Sequence, residues 1–166
     1  MLLTQKILFS KEECDLIIKD YKKSERSWSK SDRRYQSCSI TYSDDSKWIF
    51  SRFSEFFESV SGFEVKKLKR EIHFHNFTSG DWFGKHDDNK SGRLYAVGCL
   101  LSEDFDGGDF IFYNPFENLV LKSVGNSYIF DVRIPHEVKQ ITKGTRYSLL
   151  WFLEGEHLKL IENKLI

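Results

Sequence analysis

The segment Arg70-Glu-Ile-His-Phe-His-Asn-Phe77, the turn Ser79-Gly80 and the segment Trp82-Phe-Gly-Lys-His86 decide the fold. An extended chain sends alternate side chains to opposite faces, so His73 and His75 share a face with Phe77. They read either as satisfied strand residues or as the lining of a polar cavity. The same short rhythm continues downstream. Strands are predicted over 94–102, 110–113, 119–122, 127–132, 136–141 and 146–153, with turn signals at Gly107-Gly108, Asn114-Pro115, Gly125-Asn126 and Lys143-Gly144. Short strands at this spacing predict an antiparallel sandwich or barrel rather than a parallel α/β sheet.

The chain ahead of this region reads differently. Ser10-Lys-Glu-Glu13 is a capping box, and Cys14, Ile17, Ile18 and Tyr21 then form one apolar helical stripe. Residues 22–39 turn polar, with Lys22, Lys23, Arg26, Lys30, Arg33 and Arg34 among many serines. They read as a solvated loop, with residues 22–36 mobile near the mouth of the barrel and Trp28 as its aromatic contact. A second helix is predicted from Asp45, with Ile49, Phe53, Phe56 and Val60 on one face and Gly62 as its stop. The expectation is one domain over 1–166, with helical support at about 10–62 and a β core at about 66–153.

Composition narrows the function. Lys plus Arg and Asp plus Glu are each 25 among 166 residues, so the formal net charge is zero and nothing pulls the whole chain towards nucleic acid or an anionic membrane. Apolar residues at 40% argue against disorder, and aromatics at 16% favour strands. Cys14, Cys38 and Cys99 are odd in number and make no CxxC pair, which predicts free thiols in a reducing compartment. The longest uncharged apolar stretches, 95–101 and 147–153, fall short of the ~20 residues of a membrane span. The N-terminal residues lack the pattern of a signal peptide, so the expected location is the cytoplasm.

Chemistry concentrates in few places. In His86-Asp87-Asp88, alternation puts His86 and Asp88 on one face and Asp87 on the other. Together they offer a nitrogen and an oxygen to one metal. An antiparallel barrel could bring His136, after the turn Arg133-Ile-Pro, beside that pair. Two histidines and one carboxylate leave open positions opposite, which suits non-haem Fe(II). Arg146 is in phase with Ser148, and its fork of donors matches a carboxylate. Behind the three candidate ligands it becomes a candidate anchor for a dicarboxylate. Asp104, Asp106 and Asp109 around Gly107-Gly108 suggest a calcium loop, but the twelfth position from Asp104 is Pro115, not glutamate, so the segment reads as a turn. His157, in a charged tail, reads as solvated.

Taken in order, Gly80-Asp-Trp-Phe-Gly-Lys-His86-Asp-Asp88, Arg93, Phe105-Asp-Gly-Gly-Asp-Phe110, Gly125-Asn-Ser-Tyr-Ile-Phe130, Pro135-His-Glu-Val138, Gly144-Thr-Arg-Tyr-Ser-Leu149 and Trp151 resemble a known family. It is the prolyl-4-hydroxylase-like branch of the Fe(II)- and 2-oxoglutarate-dependent dioxygenases, over about residues 74–153. The resemblance implies a mainly β double-stranded β-helix (jelly roll, cupin-like) with N-terminal supporting helices. It implies His86, Asp88 and His136 as iron ligands, Arg146 holding the distal carboxylate of 2-oxoglutarate with help from Ser148, and Arg93 and Trp151 as framework. The implied cofactors are Fe(II), 2-oxoglutarate and O2, with ascorbate as an optional addition. The implied reaction hydroxylates a C–H bond of a protein or peptide residue, prolyl by the branch's name, and releases succinate and CO2.

Two departures stand out. Phe77 and Leu100 occupy positions where the family often has tyrosines, which leaves a hydrogen bond to 2-oxoglutarate unaccounted for; His73 or His75 is the candidate substitute. Nucleic-acid demethylases of the same fold usually carry a second arginine where this chain has Phe152, so no nucleic acid is expected. Two alternatives remain. One is a hydroxylase of a free amino acid or small metabolite. The other is a non-catalytic cupin-like metal-binding module, which would have no need of Arg146. Oligomeric state is left open.

Overall fold

The computed structural model describes residues 3–23 and 25–161, so Met1, Leu2, Ser24 and residues 162–166 lie outside the described set. In chain order the elements are β1 (Leu3–Ile7), α1 (Lys11–Tyr21), β2 (Arg26–Lys30), β3 (Arg33–Thr41), α2 (Lys47–Ser61), β4 (Phe63–Val65), β5 (Glu71–Phe77), β6 (Trp82–His86), β7 (Arg93–Leu100), β8 (Phe105–Gly107), β9 (Phe110–Tyr113), β10 (Glu117–Leu119), β11 (Asn126–Asp131), β12 (His136–Val138), β13 (Ile141–Gly144), β14 (Arg146–Glu154) and β15 (Leu158–Leu160).

The capping box starts α1 as the sequence predicts: the Ser10 hydroxyl accepts from the Glu13 amide at 3.1 Å, and Glu13 accepts from the Ser10 amide at 3.0 Å. Glu13 also pairs with Arg52 of α2 at 2.7 Å, which ties the two helices together. The cap of α2 is Ser46, not Asp45. Ser46 is buried and donates to the Thr41 carbonyl at 2.8 Å, so it is spent on the preceding turn and makes no side-chain cap bond. Gly62 ends α2 at a φ of 76°, the left-handed conformation that glycine adopts without strain.

The main sheet is antiparallel, in the order β1-β11-β7-β14-β5-β3-β6-β12-β9-β10, with β2 paired to β3. It curls until its distant strands touch. Phe110 and Phe112 of β9 meet Tyr128 and Phe130 of β11, with ring centroids 5.1 and 4.7 Å apart. This is the jelly roll that the family resemblance implies, one form of the antiparallel sandwich or barrel that the strand pattern predicts. Alternation gives each strand two roles. Along β14, Leu149, Trp151 and Leu153 face the helices, where they join Ile49, Phe53 and Phe57 of α2 in one core. The intervening Arg146, Ser148, Leu150 and Phe152 face the interior. On β5, Ile72 and Phe74 pack outward while His73, His75 and Phe77 point in.

The first third of the chain is not helical support alone. Residues 22–36 do not form a mobile loop: apart from Ser24, outside the described set, they lead into and build the β2–β3 hairpin. β3 inserts between β5 and β6, and β1 adds an edge beside β11. Only Tyr35, Cys38 and Ile40 of β3 are buried, and the step from 35 to 38 breaks the two-residue rhythm. That broken phase, set among serines and arginines, hides the strand. The segment does stand at the mouth of the roll, as expected: Arg26, Trp28, Arg33 and Tyr35 line the central cavity. His157 is likewise not solvated. It is 3% exposed, and its Nδ1 accepts from the Glu154 amide at 3.0 Å. Val60 is 43% exposed, so the apolar stripe of α2 ends before it. No helix among the described residues is long and apolar enough to cross a membrane.

The shared core makes a stability prediction. Phe53 is fully buried and meets Phe9 at 5.8 Å and Trp151 at 6.2 Å. Phe53→Ala should cost about 3–5 kcal/mol in urea unfolding. The fragment 66–166, which lacks both helices and β3, should aggregate. A soluble fragment that unfolds cooperatively would show that the β core does not need them.

Candidate metal centre

His86 ends β6 and His136 begins β12, and the two residues face each other in the antiparallel register. Their rings lie 4.4 Å apart. Asp88 follows β6, held by its amide donating to the Val132 carbonyl at 2.9 Å. Its two oxygens approach the histidines separately: Oδ1 is 3.5 Å from His86 Nε2 and Oδ2 is 3.1 Å from His136 Nε2. One ligand atom from each of the three residues fits within a 4.8 Å group. Asp87 turns outward and is exposed, with its Oδ1 accepting from the Asn89 amide.

The surroundings orient these atoms. His86 Nδ1 lies 2.6 Å from the Gly84 carbonyl, and His136 Nδ1 lies 2.9 Å from the Ile134 carbonyl. A carbonyl only accepts, so both Nδ1 atoms carry the proton and both Nε2 atoms are left for Asp88 or for a metal. Burial acts to raise the Asp88 pKa, but the facing histidines outweigh it, so the carboxyl sits well below its usual range and is ionised. Asp88 Oδ2 is nevertheless buried with no aligned hydrogen bond among the described residues. A divalent cation in place of the Nε2 protons would serve all three side chains at once, and the donor set of two imidazoles and a carboxylate fits non-haem Fe(II). Phe83 stacks on His86 at 3.7 Å, and Phe130 packs edge-on against His136 at 4.9 Å, fixing both rings.

The three residues open onto a cavity of about 320 Å³ inside the roll. Arg146, at the start of β14, lies in its wall and is only 2% exposed. Its Nη1 donates to the Ser148 hydroxyl at 3.0 Å, and its guanidinium sits over the rings of Phe110 and Phe77 at 5.3 and 5.7 Å. It makes no ion pair with a carboxylate among the described residues, and burial lowers its pKa from the ordinary arginine value. Phe77 does face this pocket. His73 and His75 line it too, and burial holds both below the usual histidine range, His75 at about 3.

Several cavity residues were not legible beforehand. Arg93 also reaches the cavity wall, where its guanidinium covers Phe152 at 3.7 Å. Tyr35 stacks on Phe77 at 4.9 Å and on Phe83 at 5.5 Å, bridging the two sides of the cavity. Tyr128 enters from β11 and packs against Phe110, over which the Arg146 guanidinium sits. Only the strand register reveals these placements. A second acidic group, Glu154, Glu156 and His157, is otherwise engaged: Glu154 pairs with Lys69 at 3.2 Å.

Comparison with known proteins agrees with this geometry. The 2OG-Fe(II) oxygenase superfamily matches residues 72–154. An oxidoreductase of the 2OG-Fe(II) oxygenase family from Burkholderia pseudomallei superposes with a TM-score of 0.74 at 17% identity, over 90% of this chain and 84% of that one. A Pseudomonas putida prolyl-4-hydroxylase gives 0.72 at 18% identity, over 92% of each chain. A Trichoplax adhaerens prolyl hydroxylase, in complex with a hypoxia-inducible factor peptide fragment, gives 0.72 at 16% identity, over 94% of this chain and 84% of that one. No curated protein matches in sequence.

The donor set predicts a linkage between metal and stability. Mn(II) at a hundredfold over its Kd should stabilise the folded protein by about 2.7 kcal/mol. Asp88→Ala should abolish that gain, and Asp87→Ala should keep it. An undiminished gain in Asp88→Ala would place the metal elsewhere.

Proposed function

The chain belongs to the 2OG-Fe(II) oxygenase superfamily, and we propose that within it His86, Asp88 and His136 hold Fe(II) while Arg146 and Ser148 hold the distal carboxylate of 2-oxoglutarate. It is a dioxygenase that uses Fe(II), 2-oxoglutarate and O2. Arg146 is the observation that carries the assignment. A buried guanidinium without a carboxylate partner is costly unless a ligand brings one. A dicarboxylate with a 2-oxo acid at one end does so, because its other end remains free for the metal.

Bound there, Fe(II) supplies the oxygen activation that couples decarboxylation of 2-oxoglutarate to hydroxylation of a C–H bond. The chain positions the reactants. Arg146 offers a fork of donors in a fixed direction, since Phe77 and Phe110 brace it and Ser148 accepts from one arm. Aromatic walls from Phe77, Phe83 and Phe110 exclude water. No side chain is required as general acid or base.

The primary substrate, in this reading, is a protein or peptide residue. From Arg146 the cavity runs outward past Ser148 opposite His75 and Leu150 opposite His73, to Phe152 and Glu71. The β2–β3 hairpin walls its outer end with Arg26, Trp28 and Arg33. A cavity lined from Arg146 and the metal triad out to the hairpin suits an extended chain with one side chain turned towards the metal. Two of the similar structures are prolyl hydroxylases, which supports a prolyl target.

Succinate formation tests the assignment. Arg146→Ala should raise the 2-oxoglutarate KM roughly thirtyfold or more, as loss of one side of a buried charge pair does, and leave metal affinity unchanged. An unchanged KM would remove the anchor and favour a non-catalytic metal module. Mass spectrometry of lysate incubated with enzyme and cofactors should find one added oxygen on a protein; an added oxygen on metabolites alone would refute the peptide reading.

A further inference from the structure

Resting on that assignment, the geometry points to Tyr128 as a further donor to the 2-oxoglutarate distal carboxylate, its phenol O–H reaching over Gly98 to stand beside Arg146. Tyr128 lies on β11 opposite Gly98 of β7, and β14 lies on the other side of β7, with Leu150 opposite Gly98 and Ser148 opposite Leu100. The tyrosine ring lies flat across the glycine. A Cβ at Gly98 would overlap the ring and fall 2.7 Å from the hydroxyl oxygen. A glycine at that place lets the phenol cross a whole strand and reach the inner face of β14, where Arg146 and Ser148 stand. Tyr128 and Arg146 both line the cavity and both stand against Phe110, whose ring centroid lies 5.1 Å from the Tyr128 ring and 5.3 Å from the guanidinium.

The surroundings leave Tyr128 little freedom. It is 2% exposed, and its ring is wedged among Phe110, Phe112 and Phe130 with centroids 5.1, 6.1 and 6.3 Å away. Burial pushes its pKa up to about 12, so the phenol keeps its proton and can donate. Ser148 already shares the carboxylate in that assignment, and the remaining neighbours of Arg146 are set differently. Phe77 and Phe110 present ring faces. His75 and His73 pair with Ser148 and Leu150, one and two steps further out along β14. Gly98 and Leu100 share a face of β7, so Tyr128 delivers a hydroxyl over the same strand face on which Leu100 has none. The donor missing at Phe77 and Leu100 is thereby supplied from the neighbouring strand.

The test is calorimetric titration, without O2, of protein loaded with Mn(II). Two ligands are compared: 2-oxoglutarate, and 2-oxopentanoate, which keeps the 2-oxo acid end but replaces the distal carboxylate with a methyl group. Tyr128→Phe removes one oxygen and should fold normally, as checked by unchanged melting and Mn(II) affinity. A hydrogen bond to a charged group predicts 2-oxoglutarate binding weakened about tenfold to a hundredfold. Binding of 2-oxopentanoate should stay within about twofold of the parent on the same reasoning. An unchanged 2-oxoglutarate affinity, or an equal loss for both acids, overturns the inference. Arg146→Ala separates the two levels. If it loses 2-oxoglutarate while Tyr128→Phe does not, only the tyrosine assignment falls; if it binds 2-oxoglutarate as the parent does, the anchor falls and the tyrosine with it.

Discussion

Alternation along β14 is the constraint on which the rest of the structure depends. Trp151, Leu149 and Leu153 must meet α2, and the residues between them then have to face the cavity. A slip of one residue would exchange the two sets. It would bury Arg146 in the helical core and put Trp151 into the cavity. The helices therefore do more than cover one face of the sheet. By burying Phe53 against Trp151 they fix the phase of the strand that carries Arg146, so the core and the pocket are set by a single register.

The interior holds two charges that an apolar fold would avoid. Asp88 is ionised and Arg146 is buried, both within one aromatic cavity. They do not pair with each other. Each instead faces a gap that suits a ligand of opposite charge: a divalent metal for Asp88 and its histidines, a carboxylate for Arg146. Buried ions without partners are destabilising. Their retention is the local inconsistency expected where function overrides stability. One molecule that chelates the metal with one end and pairs with Arg146 at the other would relieve both.

Much of this was legible in the sequence, for a physical reason. His86 and Asp88 are neighbours in phase, and Arg146 and Ser148 are too, so two-residue alternation alone puts each pair on one face. Short strands and turn signals pointed to an antiparallel sandwich or barrel, and the family resemblance narrowed that to the jelly roll. The remaining features depend on which strand lies beside which. Tyr128 gains its place because Gly98 stands opposite, and nothing in either local segment announces that pairing. β3 was hidden because burial changes face along it, from Tyr35 on the cavity side to Cys38 and Ile40 on the helical side. His157 was misread because its burial comes from a turn that closes β15 onto β4, two three-residue strands too short to show a period.

The hidden strand matters most to the geometry. β5 and β14 carry the wall with Phe77 and Arg146, while β6 and β12 carry His86 and His136. β3 is hydrogen-bonded to β5 along 36–41 and to β6 at Arg33 and Arg34, so it joins the two walls. Tyr35, at the crossing point, stacks on Phe77 from one wall and on Phe83 from the other. The metal triad and the guanidinium are thus linked through β3 and Tyr35, and again through Phe110, which meets both His136 and Arg146. A hairpin that reads as polar surface is part of what spaces the two charged groups of the cavity.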